Sequence, residues 1–368
     1  MGTPARLRVA MTVEQLWQPV PGGSGTYIRE LGTALAARSD VAVLPVAARH
    51  AGPPAGGPAP TLPAARLPLP RLALYEAWQR LGWPRVQRAT GPVDVIHATT
   101  WAVPPRSAPL VVTVHDLAFL HDAEHFTRRG NAYFRRALDQ VRRRADLVIT
   151  PSRHSADDCV AAGIPEARIR VVPHGSTRVP VPADAVDAFR ARTGLTRPYL
   201  LWTGTREPRK NLPRLLEAFR RVRATVDLDL VLVGPVGWGE DLAPAAGDRD
   251  RVHVLGPLGT ADLHAAYAGA HAFCYPSLRE GFGLPVLEAL GHGVPVLTSA
   301  GSPMAEVAQD AGVLVDPLDV AALADAMAVL AGPARDRLAT AAGRRAAEYS
   351  WERAAALTTA AYRDALRA

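Results

Sequence analysis

The sequence predicts an α/β protein made of two successive domains, each a parallel sheet covered by helices. Three observations lead there. Short apolar runs recur in two series, helical patterns separate the runs, and a Pro-rich stretch divides one series from the other. At 368 residues, 48% of them apolar, the chain is also longer than one hydrophobic core usually serves.

The first series occupies residues 7–13, 41–46, 93–97, 110–114, 147–150 and 169–172, and the second 199–203, 228–233, 252–255, 272–275, 294–298 and 312–315. Strands buried on both faces read as continuous apolar runs, and Leu-Val-Val-Thr-Val at 110–114 is of that kind. Two similar sheets imply two Rossmann-like domains. Prolines between 180 and 198 place the boundary, giving domains at 1–180 and 181–350 and a last helix, 351–368, that crosses back to the first. Residues 51–70 form a Pro-, Ala- and Gly-rich loop. In open α/β sheets ligands collect beyond the carboxyl ends of the strands, so a cleft between the domains is the expected site.

Composition narrows the function classes. No run of about 18 uncharged apolar residues occurs and the N-terminus lacks a leader pattern, so a cytoplasmic location is expected. Cys159 and Cys274 lie far apart in apolar segments, which argues for core positions rather than a disulfide scaffold or a thiolate metal cluster. The net charge of +7 suits nucleic acid, anionic lipid or phosphorylated substrates. No module of interleaved aromatic and basic residues is present, so nucleic acid is not an expected partner.

Two strings imitate metal sites. His121-Asp122-Ala123-Glu124-His125 spells H-x-x-E-H, but its flanks read as loop and no helix brings the histidines together. Asp227 and Asp229 start a strand, away from the ligand end, and read as solvated carboxylates. No metal site is expected.

Residues 128–144 hold seven arginines and one acid, with Phe134, Leu138, Val141 and Ala145 as an apolar stripe. This is a basic amphipathic helix that packs on its sheet and offers a surface to anionic membrane. Residues 67–83, rich in Leu and Trp, are a second such candidate or a cover for the first core.

The chemistry concentrates in four places. Residues 279–297 set Glu280 in a glycine-rich turn and Glu288, eight positions on, in the helix that follows. Such a turn offers unpaired N–H groups and the positive end of a helix dipole to phosphates, while the carboxylates suit hydroxyl groups. Together they suggest a sugar joined to a diphosphate. Gly22-Gly23-Ser24-Gly25 follows the first strand and opens a helix, where missing Cβ atoms allow a ligand close approach.

Arg206, Arg209 and Lys210 precede a helix at 212–223 and oppose its dipole; a local anion would relieve about 0.3–1 kcal/mol for each. Lys210 is the preferred diphosphate cation, with Arg206 or Arg209 assisting. His115 ends the strand 110–114 and so points to the ligand end, and His97 is placed similarly.

Taken in order, Gly22-Gly23-Ser24-Gly25, Val111-Val112-Thr113-Val114-His115-Asp116, Val172-Pro173-His174-Gly175, Glu207-Pro208-Arg209-Lys210-Asn211 and the Glu280 to Glu288 pair resemble the GT-B-fold retaining glycosyltransferases of family 4, formerly group 1, over nearly the whole chain. The resemblance implies two Rossmann-like domains facing each other across a cleft. It implies that Glu280 contacts donor-sugar hydroxyls, Glu288 holds the ribose, and amides around Gly281, Phe282, Gly283 and Leu284 meet sugar and phosphates. Lys210 matches the diphosphate lysine and His115 the active-site histidine; Gly22 and Gly23 match the loop facing diphosphate and acceptor.

Many members carry Gly-Arg where this chain has Gly204-Thr205, which leaves Arg206 and Arg209 as candidates for the second cation. The run from Gly204 to Asn211 follows a mannosyl- and rhamnosyl-type pattern.

The activity implied is metal-independent transfer of a hexose, mannose favoured, with retained configuration and by front-face substitution. The donor is a nucleoside-diphosphate sugar, GDP-mannose before UDP-sugars, and no cofactor is needed. A glycan, a lipid-linked intermediate or a natural product is the acceptor, with peripheral contact to the cytoplasmic face of an anionic membrane. Two alternatives stand beside it. A nucleotide-sugar 2-epimerase would need acid and base groups for C2 and C3 that the sequence does not display. A non-catalytic sugar-nucleotide-binding subunit of a membrane complex would keep Glu288 without needing His115 or Lys210, and both are present.

Overall fold

The computed structural model describes residues 6–54, 63–121, 126–177, 179–237, 248 and 250–368. The chain divides into two compact units, 1–175 with 350–368, and 176–349. The change of unit thus falls at Gly175–Ser176, where a Cβ on Gly175 would come within 2.2 Å of the Trp351 backbone nitrogen.

The first unit runs β1 (Leu7–Thr12), α1 (Gly22–Ala36), β2 (Val41–Ala47), β3 (Ala65–Arg66), α2 (Arg71–Arg80), α3 (Gln87–Thr90), β4 (Val95–Ala98), β5 (Leu110–Thr113), α4 (Ala118–His121), α5 (Arg128–Arg144), β6 (Leu147–Thr150), α6 (Arg153–Ala161) and β7 (Ile169–Val171). The second runs α7 (Ala183–Thr193), β8 (Tyr199–Thr203), α8 (Leu212–Val222), β9 (Asp229–Val233), β10 (Val252–Gly256), α9 (Thr260–Ala268), β11 (Ala272–Tyr275), α10 (Leu284–Gly291), β12 (Val296–Ser299), α11 (Pro303–Ala308), β13 (Gly312–Val315), α12 (Val320–Ala331) and α13 (Ala334–Ala346). The final helix, α14 (Trp351–Ala365), belongs to the first unit.

Both sheets are parallel throughout the described residues. Their orders are β3-β2-β1-β4-β5-β6-β7 and β10-β9-β8-β11-β12-β13. In each, the first strand of the unit pairs with its second and its fourth, and the chain reverses direction of travel across the sheet at that point. Loops leaving the carboxyl ends of the first and fourth strands therefore diverge and leave room for a ligand. The central strands β4, β5, β6, β8, β9, β11 and β12 are buried at every position, which explains their unbroken apolar runs. Side-chain caps fix several helix starts: Thr127 on α5, Ser152 on α6, Ser302 on α11, Asp319 on α12 and Ser350 on α14.

α14 packs against α1 and behind β5 and β6. Buried Tyr362 on α14 bonds His97 Nδ1 (2.7 Å), His97 Nε2 meets Thr113 Oγ1 (2.8 Å), and Thr113 meets Tyr27 OH (2.8 Å). His97, placed by its sequence with the ligand-facing residues, is instead a core histidine in a closed polar chain; burial pushes its pKa down to about 3.

Other expectations change as well. Asp227 is solvated, but Asp229 is 2% exposed and accepts from Arg251 (2.8 Å) and His253 (2.8 Å), so it is a buried structural anchor. The two-residue strand β3 was not expected. Cys159 and Cys274 are both core residues, as the sequence predicts. Of the H-x-x-E-H string, residues 122–125 lie outside the described residues, as do residues 55–62 of the Pro-rich loop. Among the described residues no helix is long and apolar enough to cross a membrane, and no group of three or more His, Cys, Asp or Glu is placed to hold a metal.

Candidate active site

Unit 176–349 gathers its charged candidates where β8 and β11 end. After Thr203 the chain turns through Gly204 into a short 3-10 turn, Pro208–Lys210, and Asn211, in the left-handed region (φ 59°), opens α8. The Asn211 amide donates to the carbonyls of Pro276 (3.1 Å) and Pro317 (2.7 Å), which explains why a non-glycine residue holds that conformation. The turn buries Lys210 to 7% exposure.

Its ammonium donates to Glu280 Oε1 and to Tyr275 OH. The same carboxylate oxygen accepts from Tyr275 OH (3.0 Å) and Ser277 Oγ (2.9 Å), and Arg209 Nη1 lies 3.0 Å away. All these partners crowd Oε1, leaving Oε2 without a partner among the described residues. Burial would raise the Glu280 pKa, but Arg209 and Lys210 outweigh it and bring it down to about 2. Glu280 is therefore a fixed carboxylate, suited to accepting hydroxyl protons in hydrogen bonds and unsuited to acting as an acid. Burial pulls the Lys210 pKa below its usual value, Glu280 opposing and Arg209 adding to the fall.

The two arginines differ. Arg209 is engaged by Glu207 (2.8 Å), the Arg279 carbonyl (3.1 Å) and Glu280. Arg206 is half-buried, and its Nε is buried with no partner among the described residues.

Glu288 stands in α10 in a separate network. Tyr267 OH donates to its Oε2 (2.9 Å), and Thr203 Oγ1 lies 2.7 Å from the same phenol. Tyr267 stacks on His292, which shares a hydrogen bond with His264 (3.0 Å). Burial lifts the Glu288 pKa to about 7, the Tyr267 bond opposing. Between the two glutamates, Gly283 caps α10 at φ +94°, and a Cβ there would meet Met304 Cγ at 2.5 Å. Only glycine lets the chain pass that point and open α10, where the Val286 and Leu287 amides return to the Gly283 carbonyl (2.9 and 3.2 Å), Pro285 has no N–H, and the Leu284 amide stands at the positive end of the helix. Gly281, Phe282 and Leu284 flank it.

In unit 1, Gly22 (φ +59°) and Gly23 are exposed at the start of α1. His115 lies two residues beyond β5 and is half-buried. Its Nε2 sits 3.0 Å from the Thr99 carbonyl, which can only accept, so Nε2 carries the proton and Nδ1 keeps a lone pair. Burial lowers the His115 pKa, favouring this neutral form, although Asp116 works against it. Tyr27 packs edge-on against the ring (4.8 Å) and fixes its plane.

Sequence reasoning found the charged groups but missed the hydroxyls that hold them, Tyr275, Ser277 and Tyr267. Single hydroxyls at or just beyond the end of β11, or on α9, carry no spacing signal; only the fold brings them to the glutamates.

A doubly repeated parallel sheet of this strand order, with an acid pair astride a helix start and cations after the first strand, defines a GT-B-fold glycosyltransferase. Residues 21–176 match the family described as Glycosyltransferase Family 4, and residues 197–332 match Glycosyl transferases group 1. The chain is 32% identical to the O-antigen chain mannosyltransferase B of Escherichia coli over 73% of this chain and 74% of that one. It is 31% identical to the D-inositol 3-phosphate glycosyltransferase of Xylanimonas cellulosilytica over 94% and 92%. Among solved structures, Anabaena Alr3699/HepE in complex with UDP and glucose superposes with a TM-score of 0.74, at 19% identity, over 96% of this chain and 99% of that one. The chain belongs to glycosyltransferase family 4.

Proposed function

We propose that this glycosyltransferase moves mannose from GDP-mannose to an acceptor hydroxyl with retained configuration and without a metal ion. The observation that carries the reading is the Lys210–Glu280 pair at the joint carboxyl ends of β8 and β11. A buried ammonium and the positive start of α10 suit a diphosphate, and a carboxylate with one oxygen unengaged suits sugar hydroxyls.

Arg206, with its buried unpartnered Nε, is the better second cation than Arg209, which already serves Glu207 and Glu280. With two cations and the positive end of α10, the departing diphosphate is neutralised by the protein itself. Glu280 reads sugar hydroxyls, Glu288 the ribose, and His115 Nδ1 accepts from a hydroxyl of the donor sugar. The leaving phosphate takes the acceptor proton, a front-face course in which no side chain becomes covalently attached. Mannose is supported by the named mannosyltransferase relative and by the Gly204–Asn211 pattern. The solved neighbour that holds UDP and glucose makes UDP the alternative to be tested.

For the acceptor side we favour a lipid-linked substrate met at an anionic membrane. Seven arginines on α5, with Leu72, Leu81 and Trp83 exposed on and just beyond α2, give one basic and apolar surface. Gln79 ties the two helices, donating to the Tyr133 carbonyl (3.1 Å) and accepting from Arg136 (2.9 Å).

Melting curves with GDP, UDP, ADP and dTDP test the donor. A nucleotide at about 100 times its dissociation constant adds roughly 2.7 kcal/mol, and GDP should give the largest shift. Turnover unchanged by EDTA is expected, and stabilisation by none of the four would overturn the donor assignment. Co-sedimentation with phosphatidylglycerol vesicles that is lost at high salt is expected; no binding at low salt would remove the membrane from the reading.

A further inference from the structure

The ligand end of unit 1 holds a second built cluster, outside the groups considered so far. Between β1 and α1 a 3-10 turn, Glu14–Trp17, places the Glu14 carboxylate 3% exposed. One oxygen accepts from the Ala48 amide (2.7 Å) and the other from His50 Nε2 (2.8 Å), both just beyond β2. Trp17 stacks on the His50 ring (4.7 Å, 7°) and donates its indole N–H to the Gly52 carbonyl (3.0 Å). Arg66 holds the His50 carbonyl.

The imidazole is thus fixed in position and in plane. With Nε2–H given to Glu14, the neutral ring keeps its lone pair on Nδ1, which has no partner among the described residues. A loop that served only to tie β1 to β2 would not need its imidazole held by a carboxylate and an indole, and its backbone by an arginine, with one ring nitrogen left over. The same turn supports the glycine loop, since Gln15 donates to the Pro21 carbonyl (3.0 Å) one residue before Gly22.

We propose that Glu14 and His50 are an acceptor-positioning pair: His50 Nδ1 accepts a hydrogen bond from a hydroxyl of a polyol acceptor, a sugar or a cyclitol. A lone pair on a ring stacked against a half-buried indole suits a ligand with hydroxyls on its rim and apolar C–H faces. The proposal rests on the transferase reading above, and extends it to a site the donor does not require. The pair moves no proton; Glu14 acts only through His50.

The test uses the full chain, GDP-mannose, and three acceptor probes: methyl α-D-mannopyranoside, myo-inositol and glycerol. Two rates are measured, transfer to each probe and hydrolysis of the donor by water. His50→Gln retains a donor for Glu14 near the Nε2 position but has nothing where Nδ1 stood. His50→Asn offers an amide oxygen near the Nδ1 position and gives up the Glu14 bond. We expect His50→Gln to melt like the wild type and hydrolyse donor within twofold of it, with the acceptor KM raised about tenfold, the size of one hydrogen bond. His50→Asn should recover part of that KM.

An unchanged acceptor KM in His50→Gln would show the pair to be a structural tie and overturn the proposal. Wild-type transfer to none of the three probes, with donor hydrolysis intact, would overturn the polyol class. A wild type that does not hydrolyse donor would instead overturn the donor reading beneath it.

Discussion

Glu280 and Lys210 show how a residue's chemistry is set by its neighbours. The Glu280 carboxylate, held at about 2, is supported by Arg209 and Lys210 together, and the buried ammonium of Lys210 is held against it. Lys210→Met should therefore abolish turnover and also cost about 3 kcal/mol, the lower end for breaking a buried pair, because Arg209 stays 3.0 Å from Glu280. The double variant Lys210→Met with Glu280→Gln should regain most of that stability in urea unfolding while turnover stays absent. Recovery of neither would mean that the pair is not the unit described.

Glu288 behaves in the opposite sense. Its folded pKa of about 7 lies above the ordinary 4.5, so the folded state holds a proton that the unfolded chain has released. Its contribution to stability is full below 4.5 and is lost as pH rises through 7. If its carboxylate binds the ribose, GDP affinity measured by calorimetry should rise with pH through 7 in the wild type and lose that dependence in Glu288→Gln.

At the scale of elements, α10 depends on one glycine. Gly283→Ala combines an unfavourable φ with a Cβ 2.5 Å from buried Met304, and should cost about 1–3 kcal/mol in urea unfolding. It should also weaken GDP binding by tilting the start of α10; full affinity at reduced stability would separate the helix start from the phosphate. The central strands of both sheets were legible because a strand covered on both faces must be apolar throughout. β3 was not, since two residues, Ala65 and Arg66, cannot display a period.

Asp229 was misread because its counter-charges, Arg251 and His253, sit just before and within the neighbouring strand β10. Glu280, Glu288 and Lys210 were visible through spacing within single turns. Glu14 and His50, 36 positions apart, meet only because parallel β1 and β2 deliver their carboxyl ends side by side.

At the scale of the whole molecule, buried neutral histidines make acid the main threat. His97 has a folded pKa of about 3 against an ordinary 6.5, so the unfolded chain binds the extra proton between those values. Its contribution is full above 6.5 and falls by about 1.4 kcal/mol per pH unit as pH drops toward 3. His115 and His174 are shifted the same way by burial and add to the slope. Melting temperature should therefore fall steeply below pH 6.5, and less steeply in His97→Gln, whose lower starting stability must be subtracted.

The partner of His97 has a further consequence, for synthesis. Tyr362 and the rest of α14 complete a core whose other strands are made about two hundred residues earlier, whereas the second unit is one continuous stretch. A ribosome releases the whole of 176–349 before it releases the helix that closes the first unit. The later-made unit can thus finish folding first, and the earlier-made one waits, with Tyr27, Thr113 and His97 uncovered, until α14 has left the ribosome.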